Sequence, residues 1–162
     1  MKAGKTNLYF ILITISLLVC CASKPGQKEY LEIVKSPASN ENEILDKFSK
    51  YPIDKQIDIY LFAECCVEGG GTFIRYLGFN GKEKIPSIVK RIDESDNPIT
   101  KTKLLNALEF IDLNCECLVD SPGTLNILEK NEMRIDESDS QGIKTFKELY
   151  STYLQRIKSR KH

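Results

Sequence analysis

The reactive side chains of this sequence are its six cysteines, and they come in three close sets: Cys20-Cys21, Cys65-Cys66 and Cys115-Glu116-Cys117. A thiolate can serve as nucleophile, metal ligand or half of a disulfide. The first role needs a base within reach, yet the only histidine is His162, the last residue. Neither a Cys–His nor a Ser–His nucleophile system is therefore expected. Zinc knuckles and redox-active pairs both favour Cys-x-x-Cys, a spacing absent here. Glu64 and Glu68 bracket the middle cysteine pair, but this reads as the exposed face of a helix end. No carboxylate stands on the apolar background that makes a general acid. Gly69-Gly70-Gly71 is not followed by the Lys-Ser/Thr of a phosphate loop, and reads as a helix terminator. The expectation is no catalytic residue, no cofactor and no metal site; an enzyme of unrecognised type is the alternative.

The first cysteine set has a different setting. Residues 1–7 are short and positive through Lys2 and Lys5, and LYFILITISLLV follows from Leu8 to Val19. A charged segment before a brief apolar run is the layout of a secretory signal. Twelve helical residues span about 18 Å, too little for a hydrocarbon core of roughly 30 Å. The run ends in Leu18-Val19-Cys20-Cys21, which resembles the lipobox of bacterial lipoprotein precursors. The resemblance covers residues 1–21. It implies that the cysteine thiol is lipidated, that a signal peptidase cuts before it, and that the mature chain is held by acyl chains. Cys21 is the expected lipidation site because position −1 is then Cys20, which is small; Cys20 is the runner-up, with bulky Val19 before it. Ala22 and Ser23 follow, and the absence of Asp there resembles outer-membrane sorting in two-membrane bacteria. The implied location is membrane-anchored and periplasm-facing.

Under that resemblance Cys65, Cys66, Cys115 and Cys117 enter an oxidising compartment, where disulfides persist. The expectation is that the two sets are cross-linked, with Cys66–Cys115 and Cys65–Cys117 among the open pairings. Each bridge would close a loop of about fifty residues and stabilise by roughly 4 kcal/mol in the chain-entropy account.

These side chains must be carried by something, and the rest of the sequence reads as helix. Residues 21–40 hold Pro25, Gly26 and Pro37 amid scattered charge, the pattern of a flexible tether after the lipidated N-terminus, with at most a brief ordered piece at Tyr30–Val34. Residues 41–162 form the helical domain. Asn40 or Asn42 caps a helix ending before Pro52, and Asp54 to Cys66 is nearly all apolar. Residues 72–79 lean to helix, and 83–93 carries Pro86 in its first turn. Pro98 opens the next helix, Ser121-Pro122 another, and Ser140 to Lys158 closes the series with Leu149, Tyr150, Tyr153, Leu154 and Ile157 at helical spacing.

Arg-Ile-Asp-Glu-Ser-Asp occurs twice, at Arg91–Asp96 and Arg134–Asp139, 43 residues apart. Around the copies Ile85 matches Leu128, and one residue later Leu105 matches Leu149, Phe110 matches Leu154 and Leu113 matches Ile157. Paired helices repeating every ~40–47 residues resemble HEAT and armadillo arrays. The fold expected is all-α: a short stack of antiparallel helix pairs, or an irregular helical bundle. Neither acidic copy supplies the alternating oxygen ligands and Gly of an EF-hand loop.

The formal charge is +0, from 23 basic and 23 acidic residues, and no basic stripe is present. That gives no field for nucleic acid. The function expected is a non-catalytic helical scaffold, anchored to a membrane through covalent lipid, that binds a protein partner in the cell envelope. An immunity protein against a periplasm-targeted toxin is the sharper version, and a structural envelope lipoprotein without specific ligand is the alternative.

Overall fold

The helices start where short polar side chains and prolines stop the chain from continuing otherwise. The computed structural model describes residues 24–35, 40–66, 71–118, 122–135 and 141–160. In it the Asn40 side chain accepts the Glu43 N–H at 3.0 Å and opens α2, Glu41–Ser49. Pro52 precedes α3, Ile53–Cys66, and α4 is Thr72–Gly78. A single 3-10 turn, Gly81–Lys84, leads into α5, Ile85–Glu94, whose Pro86 lies in the first turn. The Asn97 side chain accepts the Ile99 and Thr100 N–H groups and Pro98 begins α6, Pro98–Cys115. Two more helices follow, α7 at Pro122–Met133 and α8 at Gln141–Ser159. Before them all stands α1, Gln27–Val34. Every regular element among the described residues is helical, so the fold is all-α.

The packing sorts these helices into two layers. In one, α1, α3, α5 and α7 touch in that order; in the other, α2, α4, α6 and α8 do. Across the layers α1 packs on α2, α3 on α4, α5 on α6 and α7 on α8, giving four stacked pairs. Connections of a few residues force consecutive helices to run antiparallel. From α3 onward alternate helices are parallel, whereas α1 runs antiparallel to α3, with Glu29 pairing with Lys55 and Gly26 packing on Asp58. The Tyr60 hydroxyl donates to Lys103 O between α3 and α6, and the Thr102 hydroxyl to Phe146 O between α6 and α8. At the centre α6 buries Leu104, Leu105, Ala107, Leu108 and Ile111 against four other helices. A pair cannot hide its apolar stripe alone, so the neighbours supply the core.

The repeat is real but has two registers. In the first layer the 43-residue offset holds: Ile85 and Leu128 are both buried, as are Ile92 and Ile135. In the second layer the buried partners are Leu104 and Tyr150, Leu108 and Leu154, Ile111 and Ile157, each 46 apart. The offset expected from sequence, 44, fails there: Leu113 and Leu149 are exposed. The physical reason is the longer connection between α7 and α8 compared with the three residues between α5 and α6, which rotates α8 relative to the naive alignment.

Within the 21–40 segment, the brief ordered piece expected at Tyr30–Val34 lies in α1, and order begins earlier than that expectation, at residue 24. Residues 24–35 are folded: Ile33 is buried, and the Tyr30 ring lies 5.4 Å from Phe62 and 5.3 Å from Phe73. The entry to α1 depends on Gly26, which is buried with φ +80. An added Cβ there would collide with the Asp58 backbone carbonyl. Gly26→Ala combines a left-handed backbone penalty with that overlap, so a loss of about 2 kcal/mol is expected. Hydrogen exchange localises it: amides of α1 should lose protection first, and unchanged protection would refute the docking.

Candidate functional site

The two folded cysteine sets do not meet. Cys65 ends α3 as an exposed free thiol, and the Lys103 ammonium donates to its Sγ at 3.2 Å and to Glu64 O at 2.7 Å. Cys66 occupies the same helix end. Lys103 lies near the start of α6, whereas Cys115 is its last residue. Twelve helical residues place them about 18 Å apart, beyond the ~7 Å that a disulfide can bridge between Cα atoms. In place of the cross-link expected between the sets, the structure brings the Cys115 and Cys117 sulfurs together within the second set. Glu116 between them takes φ +50, closing α6 with a left-handed residue, and the bridge clips this turn. A loop this small stabilises far less than the fifty-residue loops expected from sequence. The lipidation candidates Cys21 and Cys20 lie outside the described residues.

Buried polar groups hold the stack in register, and sequence reasoning missed most of them. The Lys84 ammonium donates to Phe79 O at 2.6 Å, Leu77 O at 2.9 Å and Tyr76 O at 3.3 Å, capping the end of α4 from beneath. It also sits 5.9 Å from the centre of the Phe48 ring. Burial pulls its pKa down to about 8. On α6, Glu109 and Asp112 are both buried and face the end of α8. Arg160 reaches Glu109 Oε1 at 3.2 Å and Asp112 Oδ2 at 3.3 Å, and the Leu118 N–H donates to Asp112 Oδ1 at 2.9 Å.

A third network explains the repeated hexapeptide. Arg91 pairs with Asp58 on the preceding first-layer helix, and Arg134 pairs with Asp93 in the same way at 3.3 Å. The Arg of each copy thus reaches back one helix, to an Asp that follows a buried Ile. Gln56-Ile57-Asp58 is the first unit of this ladder, with Gln56 in the Arg position donating to Tyr51 O at 2.7 Å. Behind the second rung, Lys101 donates to Asn131 Oδ1 at 2.6 Å and Asn131 to Asp93 Oδ1 at 3.0 Å. The Asn131 amide, then Lys130 and Arg134, hold the Asp93 carboxyl below its usual range. The signal for the ladder was in the sequence as the spacing of Arg-Ile-Asp; nothing there marked Lys84 or Glu109.

Two tyrosines tie the layers together and titrate abnormally. Tyr60 and Tyr150 are both fully buried, and their hydroxyls donate to Lys103 O at 2.8 Å and Leu128 O at 3.1 Å. Burial raises both above the ordinary phenol value of 10.0. The folded values exceed the unfolded one, so this stability is complete below pH 10 and is lost as pH rises beyond it. The expected slope is about 1.4 kcal/mol per pH unit for each phenol. Phenolate absorbance should therefore appear together with loss of helical circular dichroism. The double variant Tyr60→Phe, Tyr150→Phe should flatten that limb; an unaltered limb would contradict the assignment.

The surface offers grooves between first-layer helices. One of about 510 Å³ separates α5 from α7, with Ile85, Val89 and Ile127 in its walls and Lys90, Asp93 and Glu94 charged along it. A second, of about 420 Å³, lies between α3 and α5 and includes Lys24, Phe62, Cys65 and Arg91. Among the described residues no cluster of three or more His, Cys, Asp or Glu could hold a metal ion, and no helix is long and apolar enough to cross a membrane. Comparison with protein-family models, with curated proteins and with solved structures finds no match.

Proposed function

We propose that this chain is the precursor of a bacterial lipoprotein whose mature form is a lipid-tethered, non-catalytic helical scaffold that binds a protein partner in the cell envelope. The carrying observation is Leu18-Val19-Cys20-Cys21 at the end of a charged and then apolar leader. Acyl chains on Cys21 hold the helical stack to a bilayer, since two or more chains make a stable anchor. The stack then presents grooves on its first layer, and the α5–α7 groove is the contact surface assigned to the partner. A toxin delivered into the periplasm is one class of partner that such an anchored scaffold would neutralise.

Metabolic labelling with an alkynyl fatty acid tests the anchor. Wild type and Cys20→Ser should incorporate label, and Cys21→Ser should not; an unlabelled wild type that keeps its leader ends the proposal. Photo-crosslinking from Lys90, beside the groove, tests the scaffold. A single stoichiometric adduct from envelope extracts is expected, lost in Ile127→Glu. Absence of any adduct favours a structural lipoprotein without specific ligand.

A further inference from the structure

We propose that Cys115 and Cys117 form a reversible dithiol–disulfide couple, opened at Cys115 by low-molecular-weight thiols and closed again without loss of the fold. Their Cα atoms lie 5.1 Å apart, inside the range that one bridge spans. The spacing Cys-x-Cys is not the usual one for redox pairs, but the left-handed backbone of Glu116 folds it back on itself. The turn does not need the bridge. The Glu116 N–H donates to Asp112 O at 2.8 Å, the Leu118 N–H donates to Asp112 Oδ1 at 2.9 Å, and Leu118 is fully buried. These contacts anchor the chain on both sides of the pair. A bridge with one residue between its cysteines also removes little freedom from the unfolded chain, so the fold loses little when it opens. Reduction therefore leaves two thiols side by side on an intact helix end, placed to close again.

Access to the two sulfurs is unequal. Cys115 is exposed and lines a groove of about 430 Å³ with Gly78, Asn80, Gly81, Ile111 and Asn114. Cys117 is only 8 % exposed. A thiolate attacks the disulfide sulfur it can reach, so the external thiol bonds to Cys115 Sγ. The Sγ–Sγ bond breaks, and its electron pair leaves on Cys117, which takes a proton from water. A second external thiolate then attacks the external sulfur of this mixed disulfide. Cys115 departs with the electron pair and is protonated in turn. The sum is two external thiols oxidised to their disulfide and the protein pair reduced to two thiols; a small-molecule disulfide drives the same steps backward. This stoichiometric exchange adds a modification site to the scaffold and does not depend on the lipid anchor.

The test incubates full-length protein with reduced or oxidised glutathione, quenches with acid and reads the thiols by alkylation and mass spectrometry. The tryptic peptide Leu104–Lys130 carries both cysteines and no other, and Cys65 and Cys66 fall in Gln56–Arg75. Reduced glutathione should open the pair and oxidised glutathione should close it, with helical circular dichroism unchanged throughout. In Cys117→Ala the internal leaving partner is gone, so oxidised glutathione should leave an adduct on Cys115. In Cys115→Ala the adduct on Cys117 should be several-fold less abundant. Should either variant lose its helical signal, the acid-trapped mixed disulfide of the wild type decides, and fragment ions should place it on Cys115. A pair that reduced glutathione leaves closed is a structural clip and overturns the proposal. So do two thiols that oxidised glutathione never joins, an opening that melts helix, and an adduct as abundant on Cys117 as on Cys115.

Discussion

Replacing Lys84 with methionine is expected to destabilise the fold by about 3 kcal/mol, measured by urea unfolding at neutral pH. Methionine keeps the stem's packing and removes the ammonium. The carbonyls of Tyr76, Leu77 and Phe79 at the end of α4 then lose their shared donor. Each buried acceptor left unsatisfied costs about 1–3 kcal/mol, and the ammonium's own desolvation, relieved by the change, offsets part of the sum. The pH dependence carries a second signature. Lys84 falls from 10.5 to about 8 in the fold, so between those values the unfolded chain binds the extra proton. The burial cost of its charge is therefore full below about pH 8 and is relieved as pH rises from about 8 to 10.5, so stability climbs over that window. Lys84→Met should remove that rise. A variant as stable as wild type at neutral pH would show that water serves these carbonyls equally well.

Arg160→Met is expected to cost about 3 kcal/mol or more, because it leaves two buried carboxylates with too few partners. Asp112 has no exposed surface, and among the described residues it would keep only the Leu118 N–H. Glu109 would keep Arg156, at 3.5 Å and largely exposed. The loss should appear at the end of α8, as lost hydrogen-exchange protection from Tyr153 onward. Adding Glu109→Gln and Asp112→Asn should recover part of the stability, since neutral amides do not need the guanidinium. If the triple variant is no more stable than Arg160→Met, the loss is one of packing and the charge argument fails.

The helices were legible because they are written in local terms. Asn40, Asn97, Pro98 and Pro122 mark starts through capping and a fixed φ, and the apolar spacing of α5 and α8 names an inward face. The hexapeptide repeat announced stacking for the same reason, since one short motif recurs where one structural job recurs. The second-layer register was not legible, because connections of different length shift α8 against α6 without altering either helix's own pattern. Residues 24–29 were read as tether because Pro25, Gly26 and charge are the marks of a linker. Only the contact of Gly26 with Asp58, and of Tyr30 with rings on α3 and α4, shows that the same residues begin the fold.

What the amino-acid order determined by itself is therefore the all-helical class, the places where helices begin, and the leader with its terminal cysteines on which the proposed anchoring depends. These rest on interactions between residues a few positions apart, where backbone geometry is the same in any context. The tertiary structure alone decided that Cys115 meets Cys117 and not Cys65 or Cys66, that Lys84, Glu109 and Asp112 are buried with partners, and that α1 closes the end of the stack. Each of those depends on which helix lies beside which. Close-packed helices bring together residues as far apart as Tyr60 and Lys103 or Asp112 and Arg160, and no local pattern records such a meeting.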